Sequence, residues 1–569
     1  MIIGLVAIPN ALEAHGEAPI TVIDSPSCHY QDADHAVCMS LRREYVQNGS
    51  PLITSDSQSF QNIVSNSVSS PTMQSSGATP NASPPANISL TASGLRTAYG
   101  LTSMGDPTKV VVLIDAYNDP AVYTNLTTYR KQNNLPTMDN CSLTQLNALT
   151  TTSRKPCFSL VNQDMNASPL PTFNAYYDWN PEEDLDVQSA AAVCPMCSLI
   201  VVEATNNGWD NMGIATLNAA HLPRVNAISN SYGTLGAEST DPDAMYPYWN
   251  TAGQLVPTYA ASGDWAYQPT ASYPAGSSHV IAVGGTKLIL DRRGVRSNEV
   301  AWSYVLNQAN QANGSGSGCA NWNPQWAYQY GPNTYNPAPE WENIPGSPCG
   351  PAKASADLSA VADPSTGLSI YSDHSGPNNT IVYGWMTFGG TSMSSPIIAA
   401  LQAAQGGYDG ASLARLYAGT SATTLFDITS GNTSATGTCT PIAQCKSGVG
   451  WDGPTGLGSI NAKLNATSWM SAPKLSAITV TGLISGSPKV SNPITATATA
   501  TGIPTPTLSY QWATATSRFA PFTNITGANA SSYSPTPSDV GKILRVTVTA
   551  QNPAGTTTSS NTFTAKVVA

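Results

Sequence analysis

Ionic side chains are scarce in this chain. Only 10% of it is Asp, Glu, Lys or Arg, against about 25% in an ordinary soluble domain. Basic residues are the scarcer sign, 23 Lys and Arg against 34 Asp and Glu, for a net charge of −11 and a pI near 4.9. No basic stripe exists to neutralise phosphates, so nucleic acid is excluded as a partner. The sequence also lacks any run of about 18 or more uncharged apolar residues, which excludes a membrane-spanning helix. Histidine is rare: His15, His29, His35, His221, His279 and His374 are all there are, and none stands in a His-Gly-Thr setting. Apolar residues are not lacking. At 41% of 569 residues they allow a large core, and the length suggests roughly two to four domains.

The ten cysteines fall into five local couples: Cys28/Cys38, Cys141/Cys157, Cys194/Cys197, Cys319/Cys349 and Cys439/Cys445. An even count of close neighbours predicts disulfides and an oxidising compartment. Zinc is the rival reading of Cys194-Pro-Met-Cys197, but no second CxxC or HxxxH lies at finger spacing. Met1 to Pro9 is apolar, short and without a basic flank, so the expectation of a secreted protein rests on cysteines and composition rather than on a leader.

Three textures follow along the chain. Residues 1–92 read as a leader or short propeptide-like segment, and from 46 to 92 as a Ser/Asn/Pro/Thr-rich linker. From 93 to 470, apolar runs alternate with helix-like stretches. The runs Val110–Ile114, Ser198–Val202 and His279–Val283 are of the kind buried on both faces of a parallel sheet, and Thr258–Ala261 is a weaker fourth. Val187–Val193 and Met212–Ala220 are helix-like. The pattern predicts an α/β fold, a mostly parallel sheet flanked by helices. Residues 473–569 are Thr/Ser/Val-rich with period-two alternation, as in Leu544–Ala550, and contain Trp512 as the one large central aromatic. A small all-β sandwich is expected there. It is similar to the immunoglobulin-like modules appended to bacterial secreted proteins.

The sharpest chemical signal is Phe388-Gly-Gly-Thr-Ser-Met-Ser-Ser-Pro396, followed by Ile397-Ile-Ala-Ala-Leu401. Paired glycines permit a tight turn. Ser392 then falls where an apolar helix begins, and free N–H groups there favour a developing oxyanion. A serine nucleophile needs a base, and no histidine offers one. The alternative lies in Trp179-Asn-Pro-Glu-Glu-Asp-Leu-Asp-Val187. A helix starting near Pro181 places Glu182 and Asp186 at i and i+4 on one face. Such a pair titrates as a coupled unit and can hold and relay a proton. Glu183 and Asp184 share the acidic run, so other frames of the pair stay open. Taken alone, either motif also fits an ordinary helix N-terminus.

Together, Glu-x-x-x-Asp and a later Gly-Thr-Ser-x-x-x-Pro resemble the sedolisin family of serine-carboxyl peptidases. Ala261-Ser-Gly-Asp264, Tyr273-Pro-Ala275, Ala282-Val-Gly-Gly-Thr286, Ser355-Ala-Asp-Leu-Ser-Ala360 and Asp363-Pro364 follow in the family's order. The resemblance spans about 93–470. It implies a subtilisin-like fold and a serine endopeptidase acting on protein or peptide substrates at acidic pH. It implies Ser392 as nucleophile, Glu182 as its base, Asp186 as the group that orients Glu182, and Asp264 as an oxyanion-hole donor. A carboxylate cannot donate, so Asp264 must be protonated for that role. The resemblance also implies one structural Ca²⁺, held by the side chains of Asp427 and Asp452 and the carbonyls of Ile428, Gly448 and Gly450. Carboxylates with backbone carbonyls are hard oxygen ligands of the kind calcium takes.

The sequence departs from the family pattern ahead of residue 93, where the family carries a large folded propeptide. The Cys28–Cys38 segment reads as a reduced propeptide or a remnant. Asp115, in Val112-Leu-Ile-Asp115, sits where a subtilisin carries its aspartate, which keeps a subtilisin-like reading open. The rival reading from another class is a non-catalytic surface adhesin on a peptidase-like fold, with the sandwich binding substrate or a cell-surface polymer. A monomer is expected. The scarcity of Lys and Arg predicts adaptation to acid, because with carboxyls protonated only those residues and histidine remain to repel one another.

Overall fold

The computed structural model describes residues 20–28, 35–52, 61–62, 89–174, 178–234, 256–277, 279–306, 312–320, 349, 353–373, 384–404, 425–460, 471–503, 506–552 and 555–569. Most of the linker expected at 46–92 lies outside them, as do His15, His29 and His374.

The apolar runs build a parallel sheet. Its central strands lie in the order Cys157–Asn162, Ser198–Ala204, Val110–Ala116, Val225–Asn230, Thr258–Ala261, Ile281–Leu290 and Leu358–Val361, every neighbouring pair parallel. Val110–Ala116 and Ser198–Ala204 are buried along their whole length, as expected for strands covered by helices on both faces. The run predicted at 279–283 begins its strand at Ile281 and continues to Leu290.

Two helices carry the acidic and serine motifs. Asn180–Val193 starts with Pro181 near its N-terminus and with Glu182 and Glu183 in its first turn, and all fourteen of its residues are buried. Thr391–Ala404 packs against that helix and against Val225–Asn230, Thr258–Ala261, Ile281–Leu290 and Leu358–Val361. Pro396 lies inside Thr391–Ala404. It has no N–H to give the Ser392 carbonyl one turn earlier; the Ser231 hydroxyl donates to that carbonyl instead, at 3.2 Å. The proline thus ties the serine turn to the neighbouring strand end.

A second sheet lies beside the serine motif. Thr21–Pro26, Leu41–Gln47, Trp385–Gly389 and Leu368–Tyr371 form it in that order, all antiparallel. The strand Leu41–Gln47 joins the amino-terminal segment directly to the strand that leads into Ser392. All five cysteine couples form disulfides. The pairing of Cys194 with Cys197 removes the zinc reading of that CxxC.

Beyond 471 the described strands pair antiparallel. They enclose a separate apolar cluster in which Trp512 is fully buried beside Ile494, Leu544, Val546 and Val548. In Ile543–Asn552 the even-numbered Leu544, Val546, Val548 and Ala550 are buried, matching the alternation in the sequence.

Candidate active site

The site lies where strands end and the two motif helices begin. Asp115 and Glu203 are partners in the parallel register near the carboxyl ends of adjacent strands, the usual place for a site in an open α/β sheet. The helix Asn180–Val193 presents Glu182 and Asp186 to the same region, both fully buried.

Ser392 sits at the first turn of its helix. Its hydroxyl donates to the Ser231 carbonyl at 2.8 Å and accepts from the Met39 backbone N–H at 2.9 Å. Its own backbone N–H donates to the Met39 carbonyl at 2.7 Å. Glu182 Oε2 accepts from the Ser40 hydroxyl. Burial drives the Glu182 carboxyl well above the usual range; hydrogen bonding from Ser392 and Ser40 offsets part of this, while Asp115 and Asp264 add to it. Burial also raises Asp186, with the charges of Asp115 and Glu182 adding to the effect. Asp115, buried and next to Asp119, is pushed up to about 8. Glu203 is also raised by burial, to about 8, although it accepts two hydrogen bonds from the Asn118 amide. Burial and mutual repulsion together make full ionisation of these carboxyls costly.

The other frames of the acidic run point elsewhere. Asp184 accepts from the Asn125 amide at 2.9 Å and from Gln188. Glu183 is raised by burial, with the charges of Glu203 and Asp119 adding to the effect.

Asp264 follows the strand Thr258–Ala261. Its Oδ1 accepts both the backbone N–H and the hydroxyl of Thr391, each at 2.8 Å. Oδ2 is buried with no hydrogen-bond partner, and burial raises the group to about 7. Gly390, at φ +100°, is packed so closely that a Cβ there would collide with Asp264 Oδ2, the Ser40 Cα and the Met39 carbonyl oxygen.

Asp427 and Asp452 meet the same glycine-rich loop. Asp427 Oδ2 accepts from the Gly450 N–H at 3.0 Å, and its Oδ1 is buried with no partner. Asp452 accepts from the Gly448 N–H, the Thr455 N–H and the Thr455 hydroxyl. Ile428, beside Asp427, is buried. Among the described residues, no cluster of three or more His, Cys, Asp or Glu side chains could hold a metal ion.

The structure brings Ser392, Glu182, Asp186 and Asp264, the residues expected from the sequence, to one region. Sequence reasoning did not find Ser231, Glu203, Met39 or Ser40. Glu203 carried a signal in retrospect, as an acidic residue ending an otherwise apolar strand; the other three carried none.

The sheet order, the serine helix and the carboxylate helix beside it define a subtilisin-like α/β fold. Residues 181–412 match the family model described as the subtilase family. The chain is similar to sedolisin of Pseudomonas sp. (strain 101), at 34% identity over 270 residues, which is 46% of this chain and 39% of that protein. It is also similar to kumamolisin of Bacillus sp. (strain MN-32), at 27% identity over 305 residues, 49% of each. The chain therefore spans half or less of the length of these curated relatives. Among solved structures, Pseudomonas sedolisin (serine-carboxyl proteinase) complexed with two molecules of pseudo-iodotyrostatin superposes with a TM-score of 0.50 at 22% identity, over 66% of this chain and 97% of that one. That likeness concerns the fold.

Proposed function

We propose that the chain is a secreted serine-carboxyl endopeptidase of the sedolisin type, hydrolysing peptide bonds in protein substrates at acidic pH. The observation that carries this reading is the convergence around Ser392: Glu182, fully buried and accepting from the Ser40 hydroxyl, and the Met39 carbonyl oxygen already seated on the Ser392 backbone N–H.

In the proposed reaction Ser392 Oγ attacks the substrate carbonyl carbon and its proton passes to Glu182. Asp186 shares a proton with Glu182 and holds it in place. The oxyanion lies against the Ser392 N–H and the protonated Asp264, whose free Oδ2 faces that position while Oδ1 is anchored on Thr391. Glu182 returns the proton to the departing amine, and water then attacks the acyl-enzyme. Acid favours the two protonated groups, Asp264 and the shared carboxyl pair.

Five disulfides support secretion, and the relatives' names support the peptidase class. The strands beyond residue 471 are read as an immunoglobulin-like module that engages substrate or a cell-surface polymer. A structural Ca²⁺ fits the loop near 448–452: Asp427 Oδ1 is a buried oxygen without a partner, and Asp452 with the carbonyls of Ile428, Gly448 and Gly450 would complete an oxygen set. Bound there, the ion would pin the loop.

The test is hydrolysis of a denatured protein from about pH 2 to 7 by the wild type and Ser392→Ala. An acidic optimum lost in the variant is expected. Equal activity in both, or no turnover at any pH, sinks the reading; binding to a surface polymer without turnover would support the adhesin alternative.

A further inference from the structure

Among the described residues, Lys353 is the one buried lysine, 4% exposed, and Asp357 beside it is 1% exposed. Lysine is almost never found so deep unless its charge is met. Its ammonium lies 3.1 Å from Asp357 Oδ2. It also donates to the backbone carbonyls of Ala275 at 2.8 Å and Ser277 at 3.0 Å, and to that of Val280. Four protein oxygens thus face one ammonium that carries three protons. The three carbonyls belong to a single turn. Ser277 N–H closes it on the Pro274 carbonyl at 2.8 Å, and Val280 N–H on the Ser277 carbonyl at 3.3 Å. Oxygens do not converge in a dry interior without a donor or a cation between them, and converging carbonyls are what replaces the hydration shell of a bare ion. Here the cation is tied to the chain.

The turn backs one edge of the site. Gly276 N–H donates to the Ser272 carbonyl at 2.7 Å, and Tyr273 exchanges backbone hydrogen bonds of 3.0 and 3.2 Å with Thr234. Thr234 continues the stretch from Ser231, whose carbonyl accepts from the Ser392 hydroxyl. Within that stretch Tyr232 and Gly233 pair antiparallel with Cys38 and Val37, so this edge already holds an extended segment. A Cβ on Gly233 would come within 2.4 Å of Ser272 Oγ and 2.9 Å of the Tyr273 carbonyl oxygen. No slack is left between turn and edge. At the other end of the ion pair, Asp357 Oδ2 accepts from the Ala282 N–H at 2.7 Å, and the Asp357 N–H donates to the Ala282 carbonyl at 2.9 Å. The ammonium therefore ties the turn to a central strand of the sheet.

We infer that Lys353 is a tethered cation in a carbonyl cradle able to take a compact monovalent cation in its place, and that it positions the edge on which an extended peptide pairs. It is a positioning residue, acting through Tyr273 and Thr234 rather than on the reacting atoms. The positioning role rests on the peptidase reading above; the cradle does not. Removing the charge leaves Asp357 unpaired in a dry site and frees three carbonyls, so the turn has to relax. An edge that shifts loses register with the peptide laid along it. The loss then falls on substrate binding more than on the chemical step.

The experiment compares the full-length wild type with Lys353→Ala, which empties the cradle, and with Lys353→Met/Asp357→Asn, which removes both charges and keeps the volume. Each is studied in potassium, ammonium or tetramethylammonium chloride at equal ionic strength. In tetramethylammonium, Lys353→Ala should unfold roughly 5–10 °C below the wild type. Potassium or ammonium should restore at least half of that loss, and the other two proteins should show no such preference. In peptide hydrolysis both variants should raise KM at least about tenfold with little change in kcat. Potassium or ammonium should return the KM of Lys353→Ala toward the wild-type value. Equal responses of Lys353→Ala to all three cations overturn the cradle. If that variant folds only on refolding, an equal yield in all three salts does the same. A double variant with wild-type KM overturns the positioning role, whatever its Tm. A wild type without peptidase activity removes the proposed function and the positioning role together, while the cation response of Lys353→Ala still decides the cradle.

Discussion

Asp264 binds Thr391 through one oxygen only: Oδ1 accepts both the backbone N–H and the hydroxyl, each at 2.8 Å, and Oδ2 is left beside the Met39 carbonyl. In the proposed reaction this anchoring leaves the second oxygen to serve where negative charge would develop. An asparagine can keep both features, with its carbonyl on Thr391 and its amide N–H where a protonated carboxyl would donate.

The consequence is a pH signature. In the wild type the proposed donor loses its proton as pH rises through about 7. Asp264→Asn is expected to retain activity and to lose that alkaline limb, whereas Asp264→Ala should lower kcat by about 10²–10³, the cost of removing one oxyanion donor. kcat against pH for the three proteins checks this. An Asn variant with an unmoved limb would assign the limb to another group.

Glu182 and Asp186 are separable in the same way. Glu182→Gln removes the proposed base and should reduce kcat by about 10²–10⁴ with little change in KM. Asp186→Asn keeps the shape and removes one charge from the coupled pair, so it should shift the acid limb as well as lower the rate. Single-turnover rates between pH 2 and 6 test both; an unshifted acid limb in Asp186→Asn would uncouple the two carboxyls.

Stability should favour acid. Asp115, Glu182, Glu183, Asp184, Asp186, Glu203 and Asp264 are all raised by burial. A carboxyl raised in the folded state stabilises it fully below its unfolded value, near 4. That stability is lost as pH rises through the folded values, about 7 for Asp264 and about 8 for Asp115 and Glu203. The window of decline is therefore about pH 4 to 8, because the unfolded chain binds fewer of these protons. Urea midpoints measured across that range should fall toward pH 8. A rise would mean that the buried carboxyls ionise without cost.

The loop around residue 450 gives a fourth expectation. If calcium sits on Asp427 Oδ1, chelation should lower Tm in the wild type, and Asp427→Ala should lower it to a similar degree and leave chelation without further effect. Thermal unfolding with EDTA and with added Ca²⁺ decides; an unchanged wild-type Tm on chelation removes the ion from the account.

Much of the molecule was legible in sequence because its information is local. Val110–Ile114 and Ser198–Val202 announce strands by composition alone, since a strand covered on both faces can be apolar throughout. Glu182 and Asp186 share a face through helical geometry; the even, clustered cysteines announced disulfides, while which of them join was left to the structure. The Gly-Gly-Thr-Ser motif marked the serine because the tight turn and the helix start are encoded in consecutive residues.

What only the tertiary structure decided is what those pieces meet. The partnership of Asp115 with Glu203 follows from two strands lying side by side in register, and the hold of Ser231 on Ser392 follows from a proline that freed a carbonyl. The passage of Met39 past Ser392 joins residues 353 apart. No period or spacing encodes such a contact, because it is made when strands from distant parts of the chain satisfy their backbone hydrogen bonds against one another. The sequence by itself determined which groups could do chemistry. Packing decided which partners they meet: the Met39 carbonyl on the Ser392 N–H and the Ser231 carbonyl on its hydroxyl.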